Sequence, residues 1–253
     1  MTLRSNNSPE PEPSMQHSWL STFRHRLADA NSLIHLSALG VISGFSSALV
    51  ILLFRLLIDS SSQLLLPGDN PENFEALPSW LHFALPVAGA VIMGLVMRRM
   101  NPADIKVGIV HVITRVHGHQ GHFPVKNALI QFFGGAFAIF TGQSGGREGP
   151  AIHLGAAANS FLGRSLLLPN NSMRMLVGCG TSAAIAASFD TPIAGVIFAM
   201  EVIMLEYTVG SFIPVMLATV TATALTHAFY GNEVLFSIPP LDTTPLWELP
   251  ISP

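Results

Sequence analysis

The residues best suited to chemistry in this chain lie in the nonapeptide Gly142–Pro150, which reads GQSGGREGP. Glu148 and its neighbour Arg147 form a charged pair between two long apolar segments, where an ionisable side chain usually has a function. The flanking glycines let backbone N–H groups approach a ligand closely. Pro150 suits the first position of a helix, and a helix N-terminus favours a bound anion. The residues alone leave two interpretations open, an anion site containing a carboxylate and a solvated ion pair in a surface loop.

The composition indicates that the solvent around these residues is a membrane. Of 253 residues, 49% are hydrophobic and 11% are charged, whereas soluble domains are about a quarter charged. The net charge of −3 and the lack of a basic run argue against a nucleic-acid partner. The single cysteine, Cys179, excludes an internal disulfide framework and is expected to be a buried thiol.

Apolar segments of uneven length predict an all-α, polytopic membrane protein with about eight tilted and broken helices. Three are long enough to span a bilayer: Leu33–Phe54, Leu81–Met97 and Thr208–Asn232. Shorter apolar segments between them, punctuated by Gly and Pro, are typical of broken helices around an ion site: 107–117, 127–146, 149–163, 175–189 and 191–205. The Gly40–Gly44 pair in the first span predicts close helix packing.

The charge pattern predicts the orientation and the division of the chain. Basic residues flank the outer ends of the first two spans, and the connector between them carries four acidic residues against a single basic one, Arg55, at its start. The positive-inside rule therefore puts the N-terminus in the cytoplasm. We expect a cytoplasmic tail over residues 1–30, in which Trp19–Leu27 fits an interfacial helix as well as a solvated segment. A membrane region follows over 31–232, and a polar loop over 233–253.

Two motifs resemble the CLC family of chloride channels and transporters. GGREGP at 145–150, followed by AIHLGAAANSF, is similar to the glutamate-gate motif of that family. FDTPIAGVIFAME at 189–201 resembles its FxxPxxGxxFxxE segment. The resemblance implies that Glu148 is the gating residue, whose carboxylate occupies an outer anion site. It also implies that the backbone around Gly146, Arg147 and Gly149 holds the anion, with Arg147 setting the local potential.

One departure from the family concerns the central anion site. The family's GSGIP motif falls where this chain reads KVGIV at 106–110. Gly108 and Ile109 match, but Val107 replaces the serine whose hydroxyl would bind the anion. The central site is therefore expected to use the backbone amides of Gly108 and Ile109, and the selectivity between anions is left open.

A second departure concerns protons. The family's exchangers carry a proton-transfer glutamate where this chain has Val202, which cannot titrate. The resemblance thus favours passive, channel-like chloride permeation, with chloride/proton antiport as the alternative. Glu201 is expected to have a hydrogen-bonding role in packing. No cofactor is predicted, and chloride is the expected transported ligand.

The resemblance covers the first of the family's two inverted repeats. It implies a homodimer in the plasma (inner) membrane. It also implies that the chain is either a truncated product or one part of a pore that a second polypeptide completes. An inactive half-protein is the corresponding alternative.

A rival interpretation makes the protein an enzyme. GQSGG satisfies G-x-S-x-G and is similar to the GxSG of rhomboid intramembrane proteases, with Ser144 as nucleophile and His227 as base. Rhomboids lack the REGP continuation, so we expect no enzymatic activity.

The histidines His111, His117, His119 and His122 crowd one region in the manner of a metal tract. No cysteine or carboxylate lies beside them, so no metal site is predicted.

Overall fold

The computed structural model describes residues 32–65 and 78–231, and within them the regular structure is entirely helical. The helices are α1 (Ser32–Leu65), α2 (Ser79–Arg98), α3 (Gly108–Gly118), α4 (Val125–Phe140), α5 (Glu148–Ser165), α6 (Asn170–Phe189), α7 (Pro192–Phe198), which continues as a π-helical segment (Ala199–Met204), and α8 (Val209–Tyr230). This confirms the all-α prediction and its eight segments for the described part of the chain. The predicted tail at 1–30, including Trp19–Leu27, and the loop at 233–253 lie outside the described residues.

Three of the described helices are long and apolar enough to cross a membrane: Leu33–Gln63, Ser79–Arg98 and Val209–Tyr230. They correspond to the three predicted spans. Helix α1 continues well beyond the predicted end at Phe54 and has 34 residues. At 1.5 Å per residue it is about 50 Å long, more than the roughly 30 Å hydrocarbon core requires. The predicted span ended at Phe54 because Arg55 is the first charged residue, whereas the helix continues past that charge.

Helix α6 lies at the centre of the described bundle, where it packs against α1, α5 and α8. Its small residues are buried, with Ala183 and Ala184 fully inaccessible to solvent. Where α5 crosses it, a Cβ atom built on Gly155 would lie 2.5 Å from the Cβ of Ala184. The backbones therefore approach as closely as small residues allow.

Helix α1 packs closely against α8, as the Gly40–Gly44 pair predicted. A Cβ on Gly40 would lie 2.9 Å from the Cα of Pro214, and one on Gly44 would lie 2.9 Å from the Cβ of Thr221. Ser47 of α1 connects this pair to the centre of the bundle. Its hydroxyl donates to the carbonyl of Gly180 at 3.2 Å and accepts from Nδ2 of Asn159 at 2.7 Å. Together these contacts hold α1, α5, α6 and α8 as one unit around the loops that carry the candidate site.

Candidate anion site

The loop before α5 begins at Gly142, the glycine that terminates α4. Gly142 has a φ of 71°, a left-handed conformation that glycine adopts without a steric penalty. Its N–H donates to the carbonyl of Ile139 at 3.0 Å, and the N–H of Gln143 donates to that of Ala138 at 3.0 Å. This pair of bonds is a Schellman motif. The apolar segment predicted over 127–146 therefore ends as a helix at Phe140, and the remaining residues form the loop.

Helix α5 begins at Glu148 and not at Pro150, so the predicted helix start was wrong by two residues. The first four amides of a helix have no acceptor within it, so Pro150 loses no hydrogen bond as the third residue. The proline ring packs on α4, where a Cβ built on Gly135 would lie 3.2 Å from its Cγ. A carboxylate at the first helical position is also favoured by the helix dipole. Glu148 thus stands at the start of the helix itself.

The Glu148 carboxylate folds back against the backbone at Gly146. A Cβ built on Gly146 would collide with Oε2 of Glu148 and would lie 2.8 Å from its Cδ. The side chain is exposed within the described part of the chain, and the half-buried residues Arg147 and Gly149 flank it. No side chain caps the helix, and helix geometry leaves the amides of Glu148 and Gly149 without intrahelical acceptors. This helix end therefore combines the carboxylate of Glu148 with backbone amides, at Gly146 and Gly149, that can face a ligand.

Gly146→Ala is expected to displace the Glu148 carboxylate. The new methyl group would meet only the far end of a flexible side chain, so the carboxylate should move and the fold should tolerate the change. If this carboxylate blocks an anion path, chloride flux at neutral external pH should rise by about threefold to tenfold, the effect expected from a clash of roughly 1 kcal/mol.

Gly145→Ala is the matched control, because a Cβ there would meet nothing within 4 Å. It should leave the flux unchanged. Equal fluxes for both variants in liposomes would contradict the contact between Gly146 and Glu148 as a determinant of gating.

The second candidate site is the amino-terminal end of α3. Val107 precedes the helix in an extended conformation, with φ −139° and ψ 177°. Gly108 has a φ of 81°, which only glycine adopts readily. Ile109 is half-buried and packs on the cluster formed with α5. Gly108 and Ile109 stand at a helix start, where amides of the first turn lack intrahelical acceptors. No side chain caps this end either.

The starts of α3 and α5 lie side by side. His111, in the first turn of α3, and His153, in the second turn of α5, have ring centroids 5.3 Å apart. The ring of Phe123 packs on both, at 5.9 Å from His111 and 5.5 Å from His153. Two uncapped helix ends with outward-facing amides therefore share one region, which is an arrangement suited to binding anions.

Sequence reasoning missed the residues that support this region. His111 was considered only as part of a metal tract, and Asn127 was not considered. Both are buried. The sequence does not show their burial, which is the property that makes such polar groups need hydrogen-bond partners.

Val202 and Glu201 lie on the π-helical segment that extends α7. Val202 is half-buried and packs on the apolar cluster that includes Val112 and Val116 of α3. Glu201 is exposed, and no hydrogen bond to it occurs within the described ranges. The packing role expected for Glu201 is therefore not observed among the described residues.

The proposed protease pair is not joined by any contact in the described residues. Ser144 is exposed in the loop before α5. His227, in the last turn of α8, instead pairs with Asp190, with 2.7 Å between Nε2 and Oδ1.

The histidine tract is divided by the fold. Only His111 of the four is buried, whereas His117, His119 and His122 are exposed. Within residues 32–65 and 78–231, no three His, Cys, Asp or Glu side chains come together as a metal site.

Comparison with known sequences identifies relatives over most of the chain. A family model described as "Voltage gated chloride channel" matches residues 89–253. The chain is 28% identical to a "Putative chloride channel protein ClcB-like" of Ralstonia nicotianae, covering 84% of this chain and 51% of that protein. It is 27% identical to the "H(+)/Cl(-) exchange transporter ClcA" of Vibrio cholerae, covering 68% and 38%. A "Chloride/fluoride channel protein" of Pseudomonas syringae pv. tomato is 28% identical, covering 78% and 44%. The chain thus spans about half the length of these relatives or less.

Solved structures share the fold. A CLC-type fluoride/proton antiporter aligns with a TM-score of 0.66 at 23% identity, covering 86% of this chain and 52% of that one. A slow cyanobacterial Cl−/H+ antiporter aligns with a TM-score of 0.58 at 22% identity, covering 85% and 50%. At these identities the likeness establishes the helical arrangement alone.

Proposed function

The chain belongs to the voltage-gated chloride channel family, and on that premise we propose that it forms a passive chloride pathway gated by Glu148. One observation carries the proposal. The Glu148 carboxylate lies against the Gly146 backbone at an uncapped helix start, where an anion would also bind.

Gating follows from competition between two anions for one site. The tethered carboxylate is held near the amides at the start of α5, so it excludes a diffusible chloride while it is charged. Protonation removes the charge, and a change of rotamer removes the group. Either event opens the site to chloride. Arg147, half-buried beside the carboxylate, contributes positive potential at this point.

The start of α3 is proposed as the central site on the same path. With Val107 in place of a serine, the backbone amides of Gly108 and Ile109 bind the anion there. The proximity of His111 and His153 places the two helix starts next to each other, as sequential sites on one path require. Chloride is the proposed ligand, and no cofactor takes part.

Passive permeation is favoured over chloride/proton exchange by the surroundings of Val202. This side chain packs in an apolar cluster with Val112 and Val116 and cannot carry a proton. Proton antiport remains the alternative, since the V. cholerae relative is described as an exchanger.

A chloride gradient across liposomes that contain the chain is therefore expected to drive no stoichiometric proton movement. A pH-sensitive dye in the lumen measures this, with added protonophore to show that the dye responds. Proton accumulation against its own gradient, coupled to chloride flow, would favour the antiporter.

The protein is proposed to act without enzymatic activity. Labelling with a fluorophosphonate tests Ser144, and we expect none. We further propose the plasma (inner) membrane as its location, with a cytoplasmic N-terminus. Assembly as a homodimer is proposed as well, because membership of the family implies it.

Chloride efflux from liposomes holding the purified chain tests the function directly. We expect efflux above that of protein-free liposomes, increasing as the external pH falls. Efflux equal to that of protein-free liposomes at every pH would contradict the proposal.

A further inference from the structure

We propose that His111 and Asn127 are positioning residues for the anion-binding end of α3. The inference rests on the proposed function and adds two residues to it. Neither side chain is assigned to touch the anion. Both act on the backbone turn that precedes Gly108.

A single carbonyl oxygen, that of Lys106, receives hydrogen bonds from both residues. Nδ2 of Asn127 donates to it at 2.7 Å, and Nδ1 of His111 donates to it as well. Nδ2 of Asn127 also donates to the carbonyl of Ala103 at 3.0 Å. His111 is 6% exposed and Asn127 is 1% exposed, so water does not compete for these bonds. These buried hydrogen bonds therefore fix the turn 103–106 to His111 on α3 and to Asn127 on α4.

The imidazole of His111 is held at both nitrogens. A backbone carbonyl accepts only from an N–H, so Nδ1 carries the proton. Nε2 then accepts from Nε of Arg115, at 2.9 Å. A ring that donates on one side and accepts on the other is fixed in one tautomer and one orientation.

These bonds determine the direction of the Lys106 carbonyl, which is the negative end of its peptide dipole. The Lys106 carbonyl is two residues before Gly108, and a carbonyl turned towards the site would repel an anion. With that oxygen engaged by Asn127 and His111, the chain enters Gly108 at a φ of 81° and the first amides of α3 face away from the helix. Because Val107 offers no hydroxyl, the site depends on the orientation of these amides.

His111 also links the two candidate sites. Its ring lies against His153, which is fully buried on α5 and has no hydrogen-bond partner at either nitrogen within the described residues. The contact is therefore one of packing, with Phe123 completing it. A shift of His111 would move the α3 end relative to the helix that starts at Glu148.

The test compares variants that lose these bonds with variants that keep them. Asn127→Ala and His111→Phe remove the donors, and the second keeps an aromatic ring. His111→Asn keeps an N–H donor near the position of Nδ1 and should rescue the His111→Phe effect. Asn159→Ala is the control, since Asn159 is also a buried asparagine but donates to Ser47 and Gly155, away from α3.

The readouts are the chloride concentration for half-maximal flux per folded protein and the nitrate-to-chloride permeability ratio. For Asn127→Ala and His111→Phe we expect the half-saturating concentration to rise by about threefold to tenfold, as the loss of one or two hydrogen bonds implies. The permeability ratio should shift in the same two variants. Asn159→Ala should keep the wild-type values, even where less protein folds, and His111→Asn should lie closer to the wild type than His111→Phe does.

Two results would overturn the inference in different ways. If the wild type conducts and responds to Glu148→Gln, but Asn127→Ala and His111→Phe keep wild-type saturation and selectivity, the positioning role is wrong and the proposed function stands. If the wild type carries no chloride, both are wrong. Should Asn127→Ala fail to fold, Asn127→Ser and the pair His111→Phe and His111→Asn decide the question by the same readouts.

Discussion

Glu148→Gln is expected to leave the chloride pathway open at every external pH. Glutamine keeps the shape of the side chain but carries no charge, so nothing ionic competes with chloride for the amides at the start of α5. At alkaline external pH, where the proposed gate would be closed in the wild type, chloride efflux should exceed the wild-type rate by about tenfold or more, which corresponds to a competition of at least roughly 1.4 kcal/mol. Efflux from liposomes as a function of external pH measures the effect.

Glu201→Gln is the control for this experiment. Glu201 is also an exposed carboxylate, but it lies on the π-helical segment and has no hydrogen bond within the described ranges. Its removal should preserve the wild-type pH dependence. If Glu148→Gln and the wild type share one pH profile, Glu148 is not the gate.

Gly155→Val is expected to destabilise the folded bundle strongly. A Cβ at Gly155 would lie 2.5 Å from the Cβ of Ala184 and 3.1 Å from the carbonyl carbon of Gly180, which are backbone and short side-chain atoms that cannot move aside. Overpacking of a core by one or two methyl groups destabilises by about 1–3 kcal/mol, and this contact is a helix crossing at the centre of the bundle. We expect a lower Tm and loss of the monodisperse peak in size-exclusion chromatography in detergent.

Gly94→Ala provides the comparison. Gly94 lies inside α2, and a Cβ there would meet nothing within 4 Å. Alanine is a better helix former than glycine by about 0.5–1 kcal/mol, so the Tm should stay equal or rise. A normal Tm for Gly155→Val would mean that α5 and α6 do not cross as described.

The presence of the helices was predictable because apolar segments are visible in the sequence, but the exact limits of several helices were not. Gly142 ends α4 through its own left-handed φ, before the predicted apolar segment finishes. The close packing of α1 on α8 followed from Gly40 and Gly44, since two small residues one turn apart leave a groove for another helix. Glu148 was singled out because a carboxylate among glycines in an apolar chain has few structural uses, and its gating role stays a prediction.

The supports of the α3 site were not predictable because they join residues distant in sequence. Asn127 and Lys106 are 21 positions apart, and neither position alone indicates the other. The contact of His111 with His153 depends on how two helices cross, which periodicity does not specify. The error at Pro150 has a different cause, since proline is tolerated throughout the first turn of a helix and its position does not define the first residue.

Bromide replacing chloride, located by anomalous diffraction in crystals of the wild type and of Glu148→Gln, tests most directly whether the carboxylate occupies an anion site. We expect Glu148→Gln to show a bromide peak against the backbone of Gly146 and Gly149, at the position that the carboxylate fills in the wild type, where the peak should be absent. A variant without bromide at the start of α5, or a wild type with bromide there beside an unmoved carboxylate, would contradict the account.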